Sequence, residues 1–238
     1  MFDLLIAGGK IVDGSGNAWY RADLGIQGDT IAAIGPLRGA QAARTIDAEG
    51  LVVCPGFVDM HSHSEVLWLA RPDALPKVSQ GVTTEVIGQC GVSYAPVSPA
   101  NMPFWREYLA AIDGHLDLDW SWTTVGEFLS RFDRGVGVNL AYLVPHGPVR
   151  LEVLGLEDRP ADDEELARMA GLVEQGLQEG AFGLSTGLFY IPGVYADTRE
   201  LVEVCRPVGR LNGLYASHMR YYTNRIEESI EELCIISQ

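Results

Sequence analysis

Pro55-Gly56-Phe57-Val58-Asp59-Met60-His61-Ser62-His63 is the stretch on which the reading of this 238-residue chain turns. Before it, short apolar runs are separated by tight turns. Leu4-Leu5-Ile6 leads into Gly8-Gly9, and Ile11-Val12 precedes Asp13-Gly14. Asp23 to Ile26 and Thr30 to Ile34 flank Gly28-Asp29, the pattern of a hairpin with glycine at the turn. Thr45 to Asp47 and Leu51 to Val53 continue the series, and no helix-period stretch interrupts it. Residues 1–53 are expected to form a small β module, half of a sandwich whose other strands come from elsewhere.

After Pro55 the pattern changes. Strand-like runs occur at Phe57–Met60, Thr83–Ile87, Val136–Val144, Ala181–Ser185 and Leu214–Ala216. Helical segments with recognisable starts lie between the later ones. Thr124 with Glu127, and Asp162 with Glu165, have capping-box spacing. Leu166, Met169, Ala170, Val173 and Leu177 then recur at helical period until Gly180, a C-terminal stop. Asp197 and Glu200 open another helix, which Pro207 should kink or end. Asn224 and Glu227 open the last, with Ile226, Ile230 and Leu233 on one face. Strands alternating with helices imply parallel βαβ units, and the apolar runs suggest strands covered on both faces. Residues 54–238 hold five such strands. A closed eight-stranded (β/α) barrel typically takes about 250 residues, so the length suits an open doubly wound sheet or an incomplete barrel.

In both architectures ligands bind at the C-terminal ends of the parallel strands. The first run ends in His61-Ser62-His63, two imidazoles at i and i+2 on one side of a strand end. They read as metal ligands, or as two loop histidines bonded to backbone. The second ends in Gly88-Gln89-Cys90-Gly91, where a thiolate flanked by glycine can approach a metal, or can be an inert buried thiol. The fifth ends in Ser217-His218-Met219-Arg220. Three strand ends each offering a ligand form a constellation that one histidine alone would not.

The formal charge of −15, from 17 basic and 32 acidic residues, disfavours nucleic acid and anionic membranes as partners. Four widely spaced cysteines without a CxxC pair suit an intracellular protein, and no leader or membrane-length apolar run is seen; a cytoplasmic location is expected. His146 follows the third strand and reads as a substrate contact or a capping histidine. His115 reads as solvated. The segment 101–122, with Trp105, Tyr108, Trp120 and Trp122, reads as a flap over the pocket or as aromatics packed on the exterior. Arg220 reads as a structural ion pair in preference to a substrate contact.

The leading strands, the segment 55–63, Gly88-Gln89-Cys90-Gly91-Val92-Ser93, Ser185 to Tyr190 and Ser217-His218-Met219-Arg220 together resemble the amidohydrolase superfamily, and within it the N-acyl-D-amino-acid deacylases. The resemblance runs through nearly the whole chain. It implies an α/β fold: the N-terminal part of a (β/α)8 metal-dependent hydrolase barrel, about five of eight strands over 54–238, preceded by half of a small sandwich. It implies zinc as cofactor, a small N-acyl-D-amino acid as partner, and hydrolysis of the N-acyl amide. His61 and His63 match the pair at the more exposed metal position. Cys90 and His218 match ligands of the tightly held zinc. Tyr190 matches a tyrosine bonded to the amide oxygen or carboxylate, and Ser185, at the end of the fourth strand, is expected to contact substrate. Relatives that carry a carbamylated lysine at that strand differ from this chain, whose lysines are Lys10 and Lys77. That disfavours the hydantoinase and dihydroorotase type. Glu65 stands where many members carry Asp. The family's general-base aspartate is expected beyond Gln238, so the chain reads as C-terminally truncated and weak or inactive alone. The alternative is a non-catalytic remnant that acts as an interaction fragment and self-associates through an unpaired sheet edge.

Overall fold

A computed structural model describes residues 1–238, which divide into two compact units, Met1–Gly56 and Phe57–Gln238. The first unit is all β. β1 (Phe2–Ile11) pairs antiparallel with β2 (Tyr20–Gln27), which pairs antiparallel with β3 (Thr30–Gly35). β4 (Ala42–Asp47) and the short β5 (Val52–Val53) both run parallel to β1. Gln27 faces Thr30 across the two-residue turn, and Gly28 there has φ +61°. The two apolar runs around Gly8-Gly9 are one strand: the β1–β2 register shifts between Ile6 and Gly9, a bulge that keeps the strand continuous.

The second unit alternates strands and helices: β6 (Phe57–Asp59), α1 (Glu65–Ala70), α2 (Leu75–Val78), β7 (Val82–Ile87), α3 (Met102–Asp113), α4 (Val125–Leu129), β8 (Asn139–Pro145), α5 (His146–Leu154), α6 (Asp163–Gln178), β9 (Gly183–Gly187), α7 (Thr198–Arg210), β10 (Leu214–His218) and α8 (Ile226–Ile236). The five strands lie in sequence order, all parallel. Right-handed crossovers made in one direction without reversal put every connecting helix on the same face. A doubly wound sheet needs a reversal of strand order, and this sheet has none.

Both capping boxes form, at Thr124/Glu127 and Asp162/Glu165, and Gly180 follows the end of α6 at φ +114°. Three expectations are corrected. Pro207 does not stop α7, which runs on to Arg210, because Leu201, Val204, Cys205 and Val208 bury a face whose packing outweighs one lost backbone bond. α8 starts from Arg225 without a side-chain cap, and Ile226 and Ile230 are exposed while Ser229 and Ile236 are buried. Burial on both faces holds for the central strands, with Leu143, Val144 and Leu184 fully enclosed. It fails at the edges, where Phe57, Val58 and Leu214 are exposed, because an edge strand has a neighbour on one side only.

Every residue from Glu85 to Val97 is buried, although the part after Ile87 is a loop. A buried loop needs internal partners for its peptide groups. The aromatics of segment 101–122 supply two of them. Trp105 Nε1 donates to Ser93 O, and Trp122 Nε1 donates to Tyr94 O at 2.8 Å. Tyr142 on β8 donates its hydroxyl to Ala95 O at 2.6 Å. Trp105 and Trp122 are therefore core residues that hold up the loop carrying Cys90, and neither forms a flap.

Candidate metal centre

The end of β6 is pinned from below. Asp59 Oδ1 accepts from the His61 amide at 3.2 Å, and the Ser62 amide bonds Val86 O on β7 at 3.2 Å. Lys77 on α2 pairs with both Asp59 and Glu85, 2.6 Å from the latter. The Lys77 partner holds the Asp59 carboxyl below the usual range. Burial disfavours the lysine's charge, but the two carboxylates outweigh it and push its pKa up. Glu85 is fully enclosed and also accepts from Ser62, Ser64 and Trp68. A lone carboxylate in a strand with no other charged residue, Val82-Thr83-Thr84-Glu85-Val86-Ile87, is the available sequence signal for this buried network.

On this base stand the two histidines, their rings 5.4 Å apart edge to face. One donor atom from each of His61, His63 and Cys90 lies within 4.8 Å of the others, and Cys90 Sγ is 3.2 Å from His61 Nε2. Ligand atoms on a tetrahedral zinc lie roughly 3.3–3.8 Å apart, so small side-chain shifts convert this cluster into a coordination face. Two imidazoles and a thiol are a donor set that zinc accepts. Burial, and then the neighbouring charges of His61 and His218, lower the His63 pKa and favour the neutral imidazole that binds metal. Burial, helped by the Glu65 charge, pushes the Cys90 thiol up to about 11. Metal uptake must therefore displace a proton from Cys90.

His218 ends β10, opposite Gly187 on β9. It falls outside the 4.8 Å group but is close enough that His61 lowers its pKa further after burial has done so. Tyr190 Oη lies 3.2 Å from His218 Nδ1, and Tyr222 packs edge-on against the same ring. A depression of about 340 Å³ runs past His61, Gln89, Leu143, Tyr215, Ser217 and His218. Tyr190 and His218 thus stand beside the three-donor cluster.

Two expected substrate contacts, His146 and Ser185, lie in the interior. His146 is fully buried at the start of α5, with Nε2 2.8 Å from Glu200 Oε1 on α7. Ser185 is fully buried, its hydroxyl bonded to Gly88 O and to the Gly91 amide. Neither side chain faces open space, because each satisfies buried partners instead. Arg220 is held by Glu232 at 3.1 Å and by Val194 O and Ala196 O, a structural ion pair. His115 is exposed.

Glu65 opens α1 and is buried, its carboxylate accepting from the Gly88 amide at 2.7 Å. Burial raises its pKa from 4.5 to about 7. A carboxyl whose folded pKa lies above its unfolded value contributes stability that is full below the unfolded pKa, about pH 4.5, and is lost as pH rises through about 7. Glu65→Gln is therefore expected to be near neutral at pH 4 and to stabilise by on the order of 2–3 kcal/mol at pH 8. Urea unfolding at both pH values measures this, and equal effects at the two would refute the assignment.

The amidohydrolase family model matches residues 44–214.

The chain belongs to the amidohydrolase family.

The chain is 44% identical to D-aminoacylase of Alcaligenes xylosoxydans xylosoxydans over 97% of its own length and 47% of that protein. Its structure superposes on a crystal structure of D-aminoacylase with TM-score 0.88 and 38% identity, covering 100% of this chain and 49% of that one. N-acyl-D-glutamate deacylase from Bordetella bronchiseptica, crystallised with zinc and a phosphonate inhibitor, gives TM-score 0.88 and 35% identity over 99% of this chain and 49% of that one. The chain spans about half the length of the relatives it matches. The five parallel strands are accordingly part of an amidohydrolase (β/α) barrel.

Proposed function

We propose that the protein carrying this chain is a zinc-dependent hydrolase of the N-acyl amide bond of N-acyl-D-amino acids. The observation that carries the reading is the gathering of His61, His63 and Cys90 donors within 4.8 Å at the ends of two adjacent parallel strands. The names of the relatives supply the substrate class. Zinc held there would polarise the amide carbonyl and activate water. His61, His63, Cys90 and His218 are the proposed ligands. Cys90 supplies the negative charge, and burial keeps His63 and His218 neutral. Tyr190, beside His218, is the proposed substrate contact. Residues 1–53 are read as half of the small sandwich and 54–238 as the incomplete barrel.

We expect the proton for the leaving amine to pass through a carboxylate that reaches the substrate, and those beside the donors are buried or paired. Asp59 is held by Lys77 and the His61 amide, Glu85 by four side chains, and Glu65 by the Gly88 amide. We therefore expect the 238-residue chain to bind zinc yet release little or no amine. Zinc-loaded chain, and any longer protein containing it, should be assayed with paired N-acetyl-D- and N-acetyl-L-amino acids. Preference for the D series supports the reading; equal rates, or hydrolysis of a hydantoin alone, overturn it. No helix is long and apolar enough to cross a membrane; the cytoplasm is the proposed location. Nucleic acid and membrane are not proposed as partners; taken alone, the 238-residue chain is proposed to self-associate through the outer edge of β10.

A further inference from the structure

The turn that presents Cys90 has an unusual backbone. Gly88, Cys90 and Gly91 all have positive φ, at +74°, +55° and +65°. Glycine accepts this region freely, but a residue with a Cβ does so only when its surroundings impose it. The surroundings here are specific. The Ser185 hydroxyl, on β9, donates to Gly88 O and accepts from the Gly91 amide at 2.9 Å, so one oxygen joins the residues on either side of Gln89-Cys90. The turn is also pressed onto β9: a Cβ on Gly187 would stand 1.9 Å from Cys90 O, and one on Gly91 would stand 2.4 Å from the Gly187 amide. In this conformation Cys90 Sγ reaches 3.2 Å from His61 Nε2.

We propose that Ser185 is a positioning residue, whose hydroxyl clasps Gly88 and Gly91 and so holds Cys90 in the left-handed conformation that aims its thiol at the two histidines. The proposal rests on the reading of Cys90 as a metal ligand. Without the hydroxyl, a buried carbonyl and a buried amide lose their shared partner. Cys90 is then free to relax to negative φ, which swings Sγ away from His61. Groups that orient a metal ligand without touching the metal are typically worth roughly 10- to 100-fold in affinity.

Cobalt(II) titration tests this, because a thiolate ligand gives cobalt a near-ultraviolet charge-transfer band. Ser185→Ala should bind cobalt at least about tenfold more weakly, and with a smaller thiolate band per cobalt bound. Ser185→Thr, which keeps the oxygen, should retain the band. If Ser185 serves packing alone, Ser185→Ala lowers the melting temperature and leaves the band per bound cobalt unchanged, and that result overturns the proposal. A readout independent of any variant is amide exchange: Gly91 N–H should be strongly protected in the unsubstituted chain, and free exchange there overturns the clasp. Absence of a thiolate band in the unsubstituted chain overturns the metal reading itself. Loss of Gly91 protection in Ser185→Ala then still shows the clasp to exist.

Discussion

Cys90→Ala lowers the affinity of the chain for zinc by more than about 100-fold, or roughly 2.7 kcal/mol. The thiol is the one donor of the His61–His63–Cys90 group that becomes an anion on binding, so its removal takes away both a bond and the only compensating charge. No neighbour can substitute. Glu65 and Glu85 are buried and committed to their own donors, and Asp59 is paired with Lys77. Competition with a chromophoric chelator measures the change. An affinity within threefold of the unsubstituted chain would remove Cys90 from the site. The loss should also erode the pH dependence of binding: displacement of the Cys90 proton, held by a thiol pushed up to about 11, makes zinc uptake tighter as pH rises.

Glu200→Ala destabilises the fold by about 3–5 kcal/mol. Glu200 on α7 sits between His146 and Arg150 on α5, and all three side chains are wholly enclosed. Arg150 also donates to Glu157 O and Arg159 O, at 3.2 Å and 2.7 Å, so it cannot swing out to water when its carboxylate is removed. A guanidinium left unpaired in the interior is the source of the loss. The sign of the pH effect follows from Glu200 itself. Burial opposes its charge, but the His146 hydrogen bond and the Arg150 charge hold the carboxyl below its usual range. A depressed folded pKa gives stability that is full above the unfolded value, about pH 4.5, and is lost as pH falls through the folded one. The unsubstituted chain should therefore weaken in acid more steeply than Glu200→Ala. Urea midpoints between pH 3 and 7 would show it, and parallel curves would sink the argument.

The helix starts at Thr124, Asp162 and Asp197 were legible because a cap is a local hydrogen bond between residues three apart. So were the strand ends that carry His61, Cys90 and His218, since an apolar run that gives way to polar residues marks where a strand leaves the sheet. The sequence signal failed where a residue's partner is remote. Ser185, Trp105 and Trp122 each satisfy the backbone of the buried loop after β7, and the Ser185 bond to Gly91 joins positions 94 apart. Glu200 looked like an ordinary third residue of a helix start, but its carboxylate turns inward to His146 and Arg150, about 50 residues upstream.

Periodicity, caps and residue type, all short-range properties, determined the alternation of strands and helices and the kinds of ligand offered at the strand ends. Tertiary structure alone decided that the strands run in unbroken sequence order, that His61, His63 and Cys90 gather while His218 stands beside them, and that His146 and Ser185 face inward. The physical reason is that distance and burial are set by which elements pack together. Whether a polar side chain becomes a site or a strut depends on the neighbour that reaches it first.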